Sequence, residues 1–573
     1  MKKLRLQITL ALVLAVVLMG CEQHAAEQEG PEIVRDYRVD EEVETTAEPV
    51  AADQVAPLIL NYDRITQTKA LQYAGQQQLS EAVPPSPLQP GYNDETYQRI
   101  VENAFKRAED HPLSTFSIDV DAASYSNIRR FIRQGWAPQK DAVRIEEMIN
   151  YFVYDYPEPD DEHPFSITIE VGAAPWNPAH QLVHIGLQGQ RLRQDEMPPS
   201  NLVFLLDVSG SMSAEDKLPL LKKALHMLVG ELTEQDRVAI AVYAGAAGLV
   251  LPSTPGDQKE EILGALDRLS AGGSTAGAAG IRLAYEVARK NFIEGGNNRV
   301  ILATDGDFNV GVSNNADLIR MIEQKRDEGT FLTVLGFGTG NLKDARMEQI
   351  ADHGNGNYYY IDGELEAKKV LVTDLRGTLF TIAKDVKIQV EFNPALVASY
   401  RLIGYENRLL ADEDFEDDTK DAGELGSGHT VTALYEVIPV GAPTTTTVRD
   451  RGDLKYQDNA LTETAYASGE LMTVKLRYKA PDGDTSRLIE RVVRAPDRQA
   501  ASDNFYFSAS VAEFGMILRD SQHKGTATLD QVLALARDAQ GDDREGYRDE
   551  FIRLVEDYRE IVGEGEAVSE VRR

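Results

Sequence analysis

The spacing of apolar residues changes character several times along the chain, and each change marks a boundary. Residues 8–20 are apolar except for Thr9. Residues 21–92 show no regular apolar period, are rich in Glu, Gln, Ala and Pro, and close on Pro84, Pro85, Pro87 and Pro90. That pattern predicts a spacer that cannot bury a core of its own. As a flexible coil, ~70 residues span roughly 45–50 Å end to end. From residue 93 the periods become regular. Helical spacing predicts helices over 97–108, 123–134 and 142–152, the second with Ile128, Phe131 and Ile132 on one face. Strands are expected over 116–121, 165–173 and 181–189.

Residues 200–383 alternate strand and helix signals. Strands are predicted over 202–206, 237–243, 249–251, 299–303, 331–337 and 357–361, with helices over 217–232, 260–269, 275–291, 316–328 and 343–352. Such alternation predicts an α/β domain with a doubly wound, mostly parallel sheet, which binds ligands beyond the carboxyl ends of its strands. Between 384 and 496, the segments 386–392, 396–403, 430–439, 472–478 and 487–493 alternate or run β-branched, as in a β-sandwich. Residues 497–573 form a helical region, with apolar faces over 509–519, 529–539 and 547–560. Neither 93–199 nor 384–496 completes a sandwich alone. The two strand sets are therefore expected to pair, making 200–383 an insertion whose ends emerge close together.

Lys2, Lys3 and Arg5 precede the apolar run, which at about 13 residues is short of the roughly 20 a membrane-spanning helix needs. Residues 1–20 read as a signal peptide. The run ends in Leu18, Met19, Gly20, Cys21, which resembles a bacterial lipobox. The resemblance implies cleavage before Cys21 and acylation of the new terminus, with Glu22 fitting a passenger of the outer membrane that faces the periplasm or the cell surface. Cys21 is the only cysteine, so neither a disulfide nor a thiolate metal site competes for it. Loss of three cations with the leader takes the formal charge from −34 to −37. A chain so acidic, without a basic stripe, is a poor nucleic-acid binder.

The chemistry gathers after the strands of the α/β domain. Asp207, Ser209 and Ser211 follow the first strand at alternate positions, Gly272, Gly273, Ser274 and Thr275 stand at a helix start, and Thr304, Asp305 and Gly306 follow the fourth strand. All offer hard oxygen donors, which suit Mg²⁺, with Mn²⁺ or Ca²⁺ as alternatives, and not zinc. These three segments in this order resemble the metal-ion-dependent adhesion site of a von Willebrand factor A domain, and 200–383 resembles that domain. The resemblance implies that Ser209 and Ser211 bind the ion directly, Thr275 directly or through water, and Asp207 and Asp305 mainly through water. Residues 117–152, the region after them, and 384 onward resemble a bacterial family of von Willebrand factor A lipoproteins. That likeness implies an architecture but no reaction.

Other acidic features read as structural. Asp121 stands where the helix over 123–134 needs an N-cap, so Asp121 is expected to cap and the pair Asp119 and Asp121 to be structural, not an acid/base or metal pair. The run from Asp412 to Asp421 lacks the glycine and glutamate of a calcium loop and reads as a solvated loop. Arg451, Gly452 and Asp453 read as a loop, and His226 and His353 as surface or packing residues on helices. Two function classes remain. One is a membrane-anchored protein-binding module whose metal shell is completed by a partner's Asp or Glu. The other is a metal-dependent hydrolase of the cell envelope. The motif segments contain no His or Lys to serve as a base for either serine, which favours the binding module and no catalysis. Presentation of substrates to an ATP-driven chaperone is disfavoured by the lipobox. Cys21→Ser is expected to abolish labelling with a fatty-acid analogue and to release the protein from membranes; retained membrane association would refute the anchor.

Overall fold

The computed structural model describes residues 95–571 except 161, 194–195, 274–276, 307–314, 340–341, 375–376, 378, 445, 447, 449–459 and 495–500. The leader, Cys21, the whole spacer, Thr275 and the Arg451 to Asp453 tripeptide lie outside the described residues. Among the described residues no helix is long and apolar enough to cross a membrane.

The α/β domain is built on a six-stranded sheet in the order Tyr358–Ile361, Thr330–Phe337, Asn297–Thr304, Ser200–Asp207, Arg237–Tyr243, Ala247–Pro255. Five strands are parallel, and the edge strand Ala247–Pro255 runs antiparallel. The two central strands, Ser200–Asp207 and Asn297–Thr304, are buried at every position. Such strands are covered on both faces, so their apolar runs are continuous and do not alternate. One face packs Leu202, Phe204 and Leu206 against the helix Leu218–Glu231, and the other packs Val203 and Leu205 against Gly277–Lys290. Asp207 pairs with Tyr243 and Leu206 with Ala303, so the polar ends of three strands meet at one edge.

The strands flanking this domain share sheets. One sheet runs Lys106–Arg107, Val397–Ile403, Thr430–Pro439, Asn177–Gly189, Phe165–Ala174, with Val431 opposite Leu187 and Tyr435 opposite Val183. In the second, Thr381–Phe392 lies between Glu470–Lys479 on one side and Leu113–Ser117 and Gly423–Gly426 on the other, and Arg487–Arg494 closes the edge. Val183, Ile185 and Leu187 of the first sheet meet Val386, Ile388 and Val390 of the second in one apolar core. The insertion enters after Gly189 and leaves before Thr381. Those ends are adjacent, because a Cβ built on Gly189 would stand 3.0 Å from the side chain of Ile382.

The helices Ala123–Arg133, Ile145–Asn150, Asp503–Arg519, Leu529–Asp538 and Tyr547–Val571 form a further core around Tyr125, Met148, Phe507, Phe514 and Phe551. Three arginines from outside the inserted domain bind to it, Arg129 and Arg144 buried and Arg408 half-buried. Arg129 contacts Asp362 at 2.5 Å and Glu366 at 2.7 Å. Arg144 reaches Asp344 at 2.6 Å, and its own-helix partner is Glu147. Arg408 contacts Asp121 at 3.2 Å, Asp119 at 3.3 Å and Asp352 at 3.1 Å.

Two local expectations are corrected here. Residues 95–105 are not helical. Arg130 holds Glu95 at 2.9 Å, Asp141 accepts the Ile100 N–H, and Asn103 donates to the carbonyls of Leu402 and Gly404. These long-range polar contacts outweigh a weak local helical preference. Asp121 does not cap its helix either. It accepts the backbone N–H of Tyr358, and the helix begins after Ala122 with no side-chain cap. The run Asp412 to Asp421 is partly structured: Asp412 accepts from Thr115 and Asp418 from Ser486.

Removing a cation from buried carboxylates costs about 3–5 kcal/mol. Arg408→Met is therefore expected to lower the urea unfolding midpoint clearly, and an unchanged midpoint would contradict the clamp. A second expectation concerns Glu513, fully buried in Asp503–Arg519. Burial pushes its carboxyl from 4.5 up to about 7, opposed only in part by the Thr528 backbone N–H. The folded state holds this proton more tightly than the unfolded chain, so stability falls as pH rises from 4.5 through 7. Glu513→Gln should raise Tm at pH 8 by more than at pH 5, and equal shifts at both would count against it.

Candidate metal centre

Asp207 ends the first central strand and is fully buried. Its Oδ1 accepts the backbone N–H of Ser209 at 2.8 Å, and its Oδ2 accepts the Thr304 hydroxyl at 3.3 Å. Thr304 in turn accepts the Gly306 N–H, which fixes the turn carrying Asp305. Ser209 Oγ and Ser211 Oγ lie 2.9 Å apart. Ser211 is half-buried and Gly210 exposed, while Ser209, Asp207 and Asp305 are buried, so Ser211 stands nearest the surface. The neighbouring loop is stitched to this one: Gly272 donates to Val208 O at 2.7 Å and Gly210 to Gly273 O at 3.1 Å. Gly273 has φ +84°, a conformation that L side chains rarely adopt. Asp207, Ser209, Ser211 and Asp305 are thus gathered at the strand ends, while Thr275 lies outside the described residues.

Burial raises the Asp207 carboxyl above the ordinary range; hydrogen bonds from Ser209 oppose the rise and the charge of Asp305 adds to it. A cation brought to this place would relieve that cost. The donors are hydroxyl and carboxylate oxygens without nitrogen or sulfur, the set a hard divalent ion takes. On the described residues, the site fits such an ion.

Two residues here escaped the reading of the motifs. Lys217, just before the helix Leu218–Glu231, is buried with its Nζ 2.8 Å from Asp305 Oδ2. A lysine just before a helix runs against the macrodipole, but only the fold shows that this one is buried and paired. Tyr243 is the other. Its register partner is Asp207, and its phenol lies beside Asp207 and Thr304, where burial pushes it far above its usual range and keeps it neutral. Only the strand register brings it there.

A second acidic group, Asp385, Asp421 and Glu424, brings carboxylate oxygens within 4.8 Å of one another. Lys479 already contacts Asp385 at 2.6 Å, and Arg326 contacts Asp421 at 2.8 Å, so two of its charges are met by the protein. The histidines face elsewhere: His226 contacts Asp267 and His353 contacts Glu323.

Comparison with known proteins identifies the parts of the chain. Residues 201–373 match the von Willebrand factor type A domain, residues 91–184 match a family described as von Willebrand factor, and residues 377–561 match "Uncharacterized protein YfbK, C-terminal". The YfbK protein of Escherichia coli strain K12 is 44% identical over 468 residues, 80% of each chain. The chain belongs to the YfbK family. Within that family the α/β insertion is a von Willebrand factor A domain, a class of module that generally mediates metal-dependent contacts between proteins, commonly through a divalent ion, and is typically not enzymatic. More distant likenesses cover parts of the chain. Inter-alpha-trypsin inhibitor heavy chain H3 of Mesocricetus auratus is 25% identical over 284 residues, 47% of this chain and 30% of that one. A solved structure, "von Willebrand factor type A from Catenulispora acidiphila", covers 68% of this chain and 90% of its own at 18% identity and a TM-score of 0.39.

Proposed function

We propose that this YfbK-family chain is a lipid-anchored binding module of the cell envelope, in which Asp207, Ser209, Ser211, Thr275 and Asp305 hold Mg²⁺ or a similar ion that captures an acidic side chain of a partner protein. The carrying observation is the arrangement of the four described residues. Ser209 and Ser211 bring their oxygens together, while each carboxylate has an oxygen engaged by a protein donor. Carboxylates so engaged neutralise the ion through water more than by direct contact. The ion then keeps an affinity for one more carboxylate in a partly dehydrated site, where attraction exceeds its value in bulk water.

Charge narrows the partner. A mature chain near −37 repels a generally acidic protein, so the partner presents a single projecting Asp or Glu within a neutral or basic patch. Acyl chains on Cys21 would hold the chain to the membrane at ~0.8 kcal/mol per buried CH₂, and the spacer would let the domain reach away from the surface. Binding without turnover is supported by the pairing of the nearby Lys217 with Asp305 and by His226 and His353 being engaged by Asp267 and Glu323.

Capture of partners from solubilised membranes is expected to depend on Mg²⁺ or Mn²⁺, to disappear with chelator, and to be lost in Asp207→Ala while the circular dichroism spectrum is unchanged; Ser209→Ala should weaken it less. Full capture without metal, or a metal-dependent hydrolytic rate abolished by Asp207→Ala, would overturn this reading.

A further inference from the structure

We propose that Lys217 tunes the site in two opposite directions, weakening its hold on the divalent ion and strengthening the loaded ion's hold on a partner carboxylate. The inference rests on the reading of Asp207, Ser209, Ser211 and Asp305 as metal donors, and it concerns a residue outside that set.

Lys217 is held in place. Its ammonium bonds Asp305 Oδ2 at 2.8 Å, with the Asp305 side chain fully buried and the lysine side chain 9% exposed. Its backbone N–H donates to Ala214 O at 3.0 Å, and its carbonyl accepts the Leu221 N–H at 2.8 Å. Its stem crosses Gly338, where a Cβ would stand 2.2 Å from the lysine Cε and 2.5 Å from its Cγ. Gly338 has φ +71°, and its carbonyl accepts the Tyr360 hydroxyl at 2.7 Å, so this floor is fixed as well. The chain thus brings a cation to the positive end of the helix Leu218–Glu231, against the macrodipole, and keeps it there by leaving out one side chain.

The consequence is electrostatic. Asp207 and Asp305 alone present two negative charges to an incoming ion. With Lys217 the group is −1, and it becomes +1 when a divalent ion is bound, where two carboxylates alone would give zero. Repulsion from the ammonium weakens ion binding. The same residual positive charge favours the arrival of a carboxylate in a site where charges are poorly screened. A lysine that merely supported the fold would, on removal, weaken both steps.

Lys217→Met keeps the apolar stem over Gly338 and deletes only the charge. Mn²⁺ affinity of the full chain can be read from the electron paramagnetic resonance of free Mn²⁺. Acetate affinity of the loaded protein can be read from loss of water-proton relaxation as a bound water is displaced. The variant should bind Mn²⁺ about tenfold more tightly, the scale set by removing one like charge from a partly buried site, and acetate at least about threefold more weakly. Gly338→Ala, which crowds the lysine stem, should shift both affinities in the same directions and serves if the methionine variant does not fold. Mn²⁺ affinity unchanged or reduced in these variants, or acetate affinity maintained, would overturn the proposal while leaving the metal site standing. If the wild-type protein binds no Mn²⁺ at all, the metal reading itself fails and this inference with it.

Discussion

Taking a guanidinium out of water is costly unless its donors find carboxylates, and this structure meets that condition three times across one seam. Arg129, Arg144 and Arg408 each come from outside the inserted domain and each reach acids within it: Asp362 and Glu366, Asp344, and Asp352. Their other partners, Glu147, Asp119 and Asp121, belong to the flanking body. Buried ion pairs add little net stability over an apolar contact of the same size, but a wrong alignment would leave charges unpaired in the interior. The seam therefore sets orientation more than strength. The helix Asp344–His353 and the segment after Tyr358–Ile361 are held in one pose relative to the helical region, and the strand ends that carry Asp207 and Asp305 inherit that pose through the sheet.

Much of this was legible from the residues. The continuous apolar run at 202–206 announced a buried strand, the signal at 299–303 another strand, and hydroxyl and carboxylate residues placed just after them announced a candidate site at the strand ends. The partition of the sandwich was also foreseeable, because two incomplete sets of strands have only each other to pair with. What could not be read depended on distance in the chain. The segment 95–105 has helical spacing, yet Asn103 meets carbonyls of residues 402 and 404, and no local rule weighs that. Asp121 occupies a capping position in sequence, but Arg408 and the Tyr358 amide compete for it in space.

The same limit applies within the candidate metal centre. D-x-S-x-S is compact, so a reader of the chain meets Asp207, Ser209 and Ser211 together. Tyr243 is invisible until the register of two parallel strands places it beside Asp207, and Lys217 until its side chain is seen lying over Gly338 towards Asp305. These two residues govern the local field and the polar contacts around the donors. A motif names the atoms that would touch an ion; the fold supplies the environment that decides how strongly they do so.

The adjacency of Gly189 and Ile382 carries a consequence for the order of events during synthesis. The hairpin of Phe165–Ala174 and Asn177–Gly189 emerges first, and its next neighbour, Thr430–Pro439, is translated only after the whole insertion. Gln188 and Gly428, which share a hydrogen bond, are 240 residues apart in sequence. In an unfolded chain, closing such a loop has a large entropic cost and slows pairing. Once the insertion has folded, its ends stand side by side, and the stretch that remains to be closed is mainly the part from Ile382 to Gly428. The domain that carries the candidate metal centre is thus also a folding clasp: until it closes, the apolar face of the early hairpin waits without its partner, exposed to the wrong ones.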